Sequence, residues 1–346
     1  MTVADAGPGG GASSGGGMTT SSSGGAGGMG GGTGAHGGAS VGGSGSGGCA
    51  TCPSEVLATG QIGAAQIAVG TNLVYWTALE GGDAVLRATP KSGNGVFQLA
   101  MVALATPKAV AAIGTTVCWA WVGGAATGGV ACNPNDGNGV FTPAAATIKE
   151  PWDLHFASQD TLFVSDAMVP SKVWKLDPNA IEPLAFFNDA SYGAHILGLT
   201  FHNDTVYWIN IARPRRVEKY DGAGAPIEIS QAAALDAPKY IVVDDDYAFW
   251  TDVDPDGGLW RGDQDTATKL WAGAALDLVV DAAHVYWTNP PDGKVFRAAR
   301  NQQPMAKPDP IASNLMKPQG IAQDDQAIYW TDELAGNVWR RGKLAP

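Results

Sequence analysis

The chain has 346 residues and a formal net charge of −12, with 33 acidic residues against 21 Lys and Arg. This acidic balance argues against a nucleic-acid binder, which needs a basic face to release counterions from phosphate. No apolar run reaches the roughly 18 residues of a membrane-spanning helix, so the sequence predicts no transmembrane segment.

Residues 1–48 are rich in Gly, Ser, Thr and Ala and have almost no charge, no aromatic residue and no apolar period. We interpret them as a flexible, disordered tether, because they cannot bury enough surface to offset chain entropy. Residues 49–346 then form the folding unit. A tether ahead of an all-β domain is typical after an export signal or lipid anchor. Met1–Asp5 shows no signal peptide, so we expect the true start to lie upstream and the protein to be extracellular, periplasmic or surface-anchored.

The chain has four cysteines. Cys118 and Cys132 flank the loop Gly123–Gly129 almost symmetrically, which would place them opposite each other on paired strands and favours a disulfide. Cys49 and Cys52 have a C-x-x-C spacing without a redox or zinc context, and a bond between them is the less favoured pairing. Both disulfides would indicate an oxidising compartment. Buried free thiols in a cytosolic protein are the alternative.

Seven similar segments recur about 40 residues apart, the period of propeller blades. Each has a short apolar strand, a polar turn, an aromatic strand, a hairpin, a third strand ending in a basic residue, and an outer strand. The aromatic strands align at Trp76, Trp119, Val164, Trp208, Trp250, Trp287 and Trp330. Since every segment has strand character, the sequence predicts an all-β, seven-bladed β-propeller of four-stranded blades.

The two ends of the repeat predict how the ring closes. The last unit stops after its third strand, and Glu55–Thr59 reads as a surplus outer strand ahead of the first unit. Pairing this N-terminal strand with the last blade would complete that blade and remove an exposed edge.

The line Ile328-Tyr329-Trp330-Thr331-Asp332, followed by Val338-Trp339-Arg340, resembles the YWTD repeats of low-density-lipoprotein-receptor propellers and, more loosely, NHL-type propellers. The resemblance covers about residues 55–346. Unit two departs from it, unit three lacks the Trp, and the receptor family usually has six blades rather than the seven counted here. The resemblance implies structural roles, in which Trp330 packs between blades and Asp332 ties neighbouring strands together.

One acidic hairpin breaks the repeat. The segment Asp252-Val253-Asp254-Pro255-Asp256-Gly257 follows the D-x-D-x-D-G order of calcium loops, with Asp263 at the twelfth position. Its flanks are predicted strands, whereas an EF-hand has helices. The segment is therefore either a calcium site formed by Asp252, Asp254 and Asp256 or an ordinary acidic hairpin.

In a propeller, the loops that enter the inner strands share a face with the hairpins between second and third strands, around the central channel. Polar and aromatic residues at the starts of inner strands are therefore candidates for binding a ligand or a metal. His195 with Asp153 or Asp277 could form an acid–base pair, whereas His155 reads as a core histidine. Trp121, an extra aromatic in unit two, and Trp152 could anchor a peptide or sugar. The candidates at the channel mouth are Gln66, Trp121, Trp152, Asp153, His195, Tyr240 and Asp277.

The favoured function is an exported, tethered and monomeric binding scaffold that holds a protein, peptide or glycan on the loop face. The tether, the regular repeat and the absence of G-x-S-x-G, H-E-x-x-H and phosphate-loop motifs support it. The alternative is a metal-assisted lyase or lactonase, in which Asp153, His195, Tyr240 or Asp277 converge on one ion. A third possibility is an inert surface repeat protein.

Overall fold

The structure is a computed structural model that describes residues 52–123, 128–143, 148–179, 183–188, 195–230, 233–262 and 266–343. The predicted tether and Cys49 lie outside the described residues. In the described part of the chain, 28 strands form seven four-stranded antiparallel sheets arranged in a ring. The predicted seven-bladed β-propeller is confirmed. No described helix is long and apolar enough to cross a membrane.

The blades are numbered one to seven by their inner strands. The inner strands are β2 (Ala64–Val69), β6 (Ala105–Ile113), β10 (Pro151–Ser158), β14 (Ile196–His202), β18 (Pro238–Val243), β22 (Leu278–Val280) and β26 (Pro318–Gln323). The second strands are β3 (Leu73–Glu80), β7 (Thr116–Gly123), β11 (Thr161–Asp166), β15 (Thr205–Asn210), β19 (Ala248–Asp252), β23 (His284–Asn289) and β27 (Ala327–Asp332). The third strands are β4 (Asp83–Pro90), β8 (Gly129–Asn133), β12 (Lys172–Leu176), β16 (Arg216–Tyr220), β20 (Gly258–Gly262), β24 (Lys294–Ala299) and β28 (Asn337–Gly342). The outer strands are β5 (Phe97–Val102), β9 (Thr142–Pro143), β13 (Leu184–Asn188), β17 (Ile227–Glu228), β21 (Ala267–Ala272), β25 (Asp309–Ala312) and, in blade seven, β1 (Glu55–Ala58).

The N-terminal strand closes the ring as predicted. Strand β1 pairs antiparallel with β28, and Val56 lies opposite Trp339. The carboxylate of Glu55 lies 3.5 Å from the guanidinium of Arg340 on the same pair of strands. Blade seven therefore has four strands, and β28 has no exposed edge.

The tryptophans of the repeat form the core of the blades. Trp250 and Trp330 are fully buried, and each lies directly across from an aromatic residue of the third strand. The rings of Trp250 and Trp260 are stacked with centroids 6.4 Å apart, and those of Trp330 and Trp339 are stacked at 6.2 Å. These cross-strand aromatic pairs explain why the line recurs, since each blade has the same packing requirement.

Blade four replaces the third-strand aromatic with a buried carboxylate. Trp208 lies across from Glu218 and donates its indole N–H to the Glu218 carboxylate at 2.9 Å. The side-chain amide of Asn210 donates to the same oxygen at 3.0 Å. The ring of Phe187 packs on Trp208 with a centroid distance of 4.9 Å. The buried charge is therefore hydrogen-bonded, as burial requires.

A threonine on the second strand links consecutive blades. In blade seven, the hydroxyl of Thr331 accepts the N–H of Gly320 at 3.0 Å and donates to the carbonyl of Ala65 in blade one at 2.5 Å. The same donation joins Thr251 to Leu276 and Thr288 to Gln319, each at 2.7 Å. The link between the last and first blades is thus chemically the same as the links inside the chain.

A second set of links lies at the opposite end of the inner strands. The acid that follows an inner strand pairs with the base that follows the third strand of the next blade. The pairs are Asp244 with Arg300 at 2.8 Å, Asp281 with Lys343 at 3.2 Å, and Asp324 with Lys91 at 2.8 Å. The last of these pairs again crosses from blade seven to blade one.

Blade two contains a disulfide between its second and third strands. Cys118 and Cys132 are directly opposite each other, with Cα atoms 4.1 Å apart, and their sulfurs are bonded. Cys52 is buried and also disulfide-bonded. The described cysteines therefore contain no free thiol.

Candidate functional site

The start of each inner strand presents two successive positions to the channel. At the deeper position the backbone N–H of Gln66, Tyr240 or Asp277 donates to the hydroxyl of a second-strand threonine, and that of Asp153 donates to a serine. The residue just before the deeper position lies one step nearer the channel mouth. Two groups of side chains result, which we call the channel cluster (Gln66, Asp153, Tyr240 and Asp277) and the lysine–tryptophan cluster (Lys108, Trp152 and Lys239).

The channel cluster joins blades that are distant in sequence. Gln66 of blade one donates its side-chain N–H to the hydroxyl of Tyr240 in blade five at 3.0 Å. Burial raises the pKa of Tyr240 well above its ordinary value, and the negative charges of Asp277 and Asp153 raise it further. All four side chains are buried. The structure therefore brings four of the predicted residues together, around a neutral phenol.

The two carboxylates of the channel cluster connect neighbouring blades. One oxygen of Asp153 accepts the backbone N–H of Leu199 in blade four at 2.9 Å. One oxygen of Asp277 accepts that of Ile321 in blade seven at 3.0 Å. The other oxygen of each accepts the N–H of the residue that follows it. These carboxylates therefore satisfy backbone donors at blade junctions, which stabilises the ring.

Glycine occupies the deeper position in blades four and seven. A Cβ on Gly198 would collide with the carbonyl of Lys239, and one on Gly320 would lie 2.5 Å from the carbonyl of Ala65. Glycine is therefore needed at these two positions for the inner strands of adjacent blades to approach each other.

The lysine–tryptophan cluster lies at the mouth and combines three blades. The ammonium of Lys108 from blade two is 4.6 Å from the ring centroid of Trp152 in blade three. The ammonium of Lys239 from blade five is 5.0 Å from the same centroid. All three side chains are half-buried. Such short distances are those of cation–π contacts, which offset part of the cost of removing the charges from water.

The two ammonium groups are electrostatically unfavourable to each other. Burial lowers the pKa of Lys108, an effect that the nearby Glu150 carboxylate opposes. Burial also lowers the pKa of Lys239, and the charge of Lys108 lowers it further. Within the described residues, neither ammonium forms an ion pair or a hydrogen bond. The mouth thus has two weakly compensated positive charges, although the protein as a whole is strongly acidic.

Sequence reasoning identified Trp152 but missed both lysines. The available signal was their alignment: Lys108 and Lys239 occupy the same position of units two and five as Trp152 does in unit three. The repeat alone does not say that these three positions meet over one ring.

His195 and Trp121 lie apart from both clusters. The half-buried His195 uses its backbone N–H on Asn210 at 3.3 Å, and its side chain forms no ion pair with a described residue. The geometry therefore gives no support to the predicted acid–base pair. Trp121 packs on Trp119 with ring centroids 4.9 Å apart, and a Cβ on Gly129 would lie 2.5 Å from its ring. Trp121 is thus part of the packing of blade two.

The acidic hairpin of blade five uses its first aspartate in the fold. Asp252 is fully buried, and its carboxylate accepts three backbone N–H groups, those of Asp236, Ala237 and Asp254, at 2.9, 2.9 and 3.1 Å. One carboxylate oxygen of Asp254 accepts the N–H of Asp256 at 3.0 Å. Asp263 lies outside the described residues. Over the described ranges, no group of three or more His, Cys, Asp or Glu is placed to hold a metal ion. Calcium binding by this loop stays a prediction.

The fold and its ring of links define the class of this protein as a seven-bladed β-propeller, and comparison with solved structures agrees. No protein-family profile and no curated protein matches the sequence. Virginiamycin B lyase from Staphylococcus aureus is similar over 85% of this chain and 99% of that chain, with 14% identity and a TM-score of 0.66.

Two further propellers are similar at comparable levels. YCF48 from Cyanidioschyzon merolae has 12% identity over 84% of this chain and 98% of that chain, with a TM-score of 0.62. BamB from Moraxella catarrhalis has 14% identity over 80% and 81%, with a TM-score of 0.54. YCF48 has also been solved with a D1 peptide bound. Such low identities establish the shared fold alone, and activity has to be argued from the site.

Proposed function

We propose that the protein is an exported, tethered binding module that holds a protein or peptide ligand at the channel mouth. The lysine–tryptophan cluster carries this proposal, because it places a half-buried aromatic ring and two poorly compensated charges on one face. Aromatic side chains and cations at such positions are typical anchors of protein recognition. YCF48, which shares the fold, is itself a peptide-binding propeller.

The closed channel cluster supports a ligand on the surface rather than one inside the ring. Tyr240 and Gln66 meet across the channel and are buried. In our proposal the repeat is of the YWTD type, and its Trp, Thr and Asp build the blades. Recognition is then left to the residues that differ between blades, as at Lys108 and Lys239.

Catalysis at the channel cluster is the less favoured function. Both carboxylates already accept backbone N–H groups of the next blade, so a metal or substrate would have to displace structural hydrogen bonds. The likeness to virginiamycin B lyase extends to the fold alone. We therefore favour binding over a lyase or lactonase activity.

Peptides selected from a displayed library against the full-length protein test the proposal. We expect Trp152→Ala to weaken the selected peptides about tenfold or more, as for a central aromatic anchor. Lys175→Ala, at an exposed position on the third strand of blade three, should leave binding unchanged. Equal binding by wild type and a folded Trp152→Ala variant would place recognition elsewhere and overturn the proposal.

A further inference from the structure

We infer that the lysine–tryptophan cluster binds a single carboxylate group of an acidic peptide, an inference that rests on the proposed binding function and specifies its ligand chemistry. The ammonium groups of Lys108 and Lys239 both lie within 5.0 Å of the centre of the Trp152 ring. An anion at this place would interact favourably with both charges. The same two charges repel each other when the site is empty.

The local charge balance fits a monoanion. Two ammonium groups are accompanied by one nearby acid, Glu150, which is exposed and whose charge acts on Lys108. This leaves an excess of about one positive charge, which one carboxylate would neutralise. Partial burial strengthens such a contact, because a desolvated ammonium interacts with an anion in a lower effective dielectric.

The other side of the mouth does not compete for the same anion. Glu333 in blade seven accepts the ammonium of Lys317 at 2.8 Å and the side-chain amide of Gln319 at 2.6 Å. That lysine is already paired, so the uncompensated positive charge lies on the side of blades two, three and five. An acidic side chain of a bound peptide would be directed to this side.

The donor chemistry favours a carboxylate over a phosphate or a polyanion. The cluster has lysines, which act as point charges, and no arginine whose planar fork would bind phosphate in a bidentate manner. The net charge of −12 would also repel an extended polyanion at long range. The apolar face of Trp152 supplies contact area to the peptide around the carboxylate.

Nuclear magnetic resonance of the full-length protein with 13C-dimethylated lysines tests the inference. The probe is the peptide Ac-Gly-Glu-Gly-NH2, and its uncharged control is Ac-Gly-Gln-Gly-NH2. We expect the glutamate peptide to shift the resonances of Lys108 and Lys239 saturably, and the glutamine peptide to leave them in place. Lys175 serves as the exposed control lysine, and spectra of Lys108→Met and Lys239→Met assign the signals.

Charge removal gives a second measurement. Lys239→Met should weaken the glutamate peptide about tenfold, equivalent to ~1.4 kcal/mol, and Lys175→Met should not. Lys239→Arg keeps the charge and should retain most of the affinity. Unmoved Lys108 and Lys239 resonances, or tighter binding of inorganic phosphate than of the glutamate peptide, would overturn the carboxylate assignment.

The two proposals fail in different ways. If library peptides require Trp152 but the glutamate peptide does not bind, the binding function stands and the carboxylate inference falls. If the glutamate peptide binds at the lysines but library peptides ignore Trp152, an anion site exists without the proposed peptide-binding function.

Discussion

The ammonium of Lys91 in blade one lies 2.8 Å from the carboxylate of Asp324 in blade seven. This ion pair joins two residues more than two hundred positions apart and repeats the pairing of Asp281 with Lys343 one blade earlier. Together with the Thr331 hydroxyl on the carbonyl of Ala65, it fastens the last blade to the first.

The Lys91–Asp324 pair should make stability depend on acid pH. Burial alone would raise the pKa of Asp324, but Lys91 and the N–H groups of Gln326 and Ala327 outweigh it, so the pKa lies below its ordinary value. A depressed folded pKa contributes stability above the unfolded value of about 3.9 and loses it as pH falls through the folded value. Lys91→Met should therefore lower the free energy of unfolding by about 1 kcal/mol near neutral pH and by much less in acid.

Urea denaturation of wild type and Lys91→Met near neutral pH and at the lowest pH where both remain folded measures this difference. Lys175→Met is the matched control, because Lys175 is exposed and forms no printed ion pair with its neighbours. An equal loss of stability at both pH values would show that the pair does not titrate as expected.

Removing one inter-blade hydroxyl should destabilise the ring. In Thr331→Val the carbonyl of Ala65 and the N–H of Gly320 lose their partner while the side chain keeps its shape. Unsatisfied buried groups cost about 1–3 kcal/mol, so the melting temperature should fall. Thr142→Val, on the exposed outer strand of blade two, is the control. The predicted role of the hydroxyl would be wrong if both variants melted at the wild-type temperature.

Several tyrosines should resist ionisation at alkaline pH. Burial raises the pKa of Tyr75, Tyr207, Tyr240, Tyr286 and Tyr329, and in four of them a carboxylate charge raises it further. Because the folded pKa exceeds the unfolded value of about 10, the stability from these neutral phenols is present below that pH and lost as pH rises through the folded values. Ultraviolet titration should show the late phenolates appearing together with unfolding. Early ionisation of all eight tyrosines in the folded protein would contradict this.

Calcium is expected to leave the melting temperature unchanged. The carboxylate of Asp252 already accepts three backbone N–H groups. The described loop then offers mainly Asp254 and Asp256, whereas calcium takes six to eight oxygens. Thermal melting across a CaCl2 titration measures this, since a ligand of the folded state raises the melting temperature. A rise that Asp254→Asn abolishes would establish the calcium site.

The sequence was sufficient for the blade count and for ring closure, because each blade repeats one packing problem. Trp330 and its relatives align for that reason, and the unpaired third strand of blade seven called for a strand such as β1. The positions of Gln66, Asp153, Tyr240 and Asp277 were also readable, since all occupy one place in the unit.

Contacts between blades could not be predicted in the same way. Whether Asp153 faces open channel or the N–H of Leu199 depends on how closely two inner strands approach. The meeting of Lys108 and Lys239 over Trp152 depends on side-chain reach across blade four, which no repeat pattern encodes.

The equivalence of the blade junctions has a consequence for chain connectivity. The hydroxyl of Thr331 and the carboxylate of Asp324 reach from blade seven to blade one through the same contacts that Thr288 and Asp281 make from blade six to blade seven. The ring therefore does not depend energetically on which junction the backbone leaves open. A circularly permuted chain, with Lys343 joined through a linker to Glu55 and new termini in the turn before β22, should fold to the same ring.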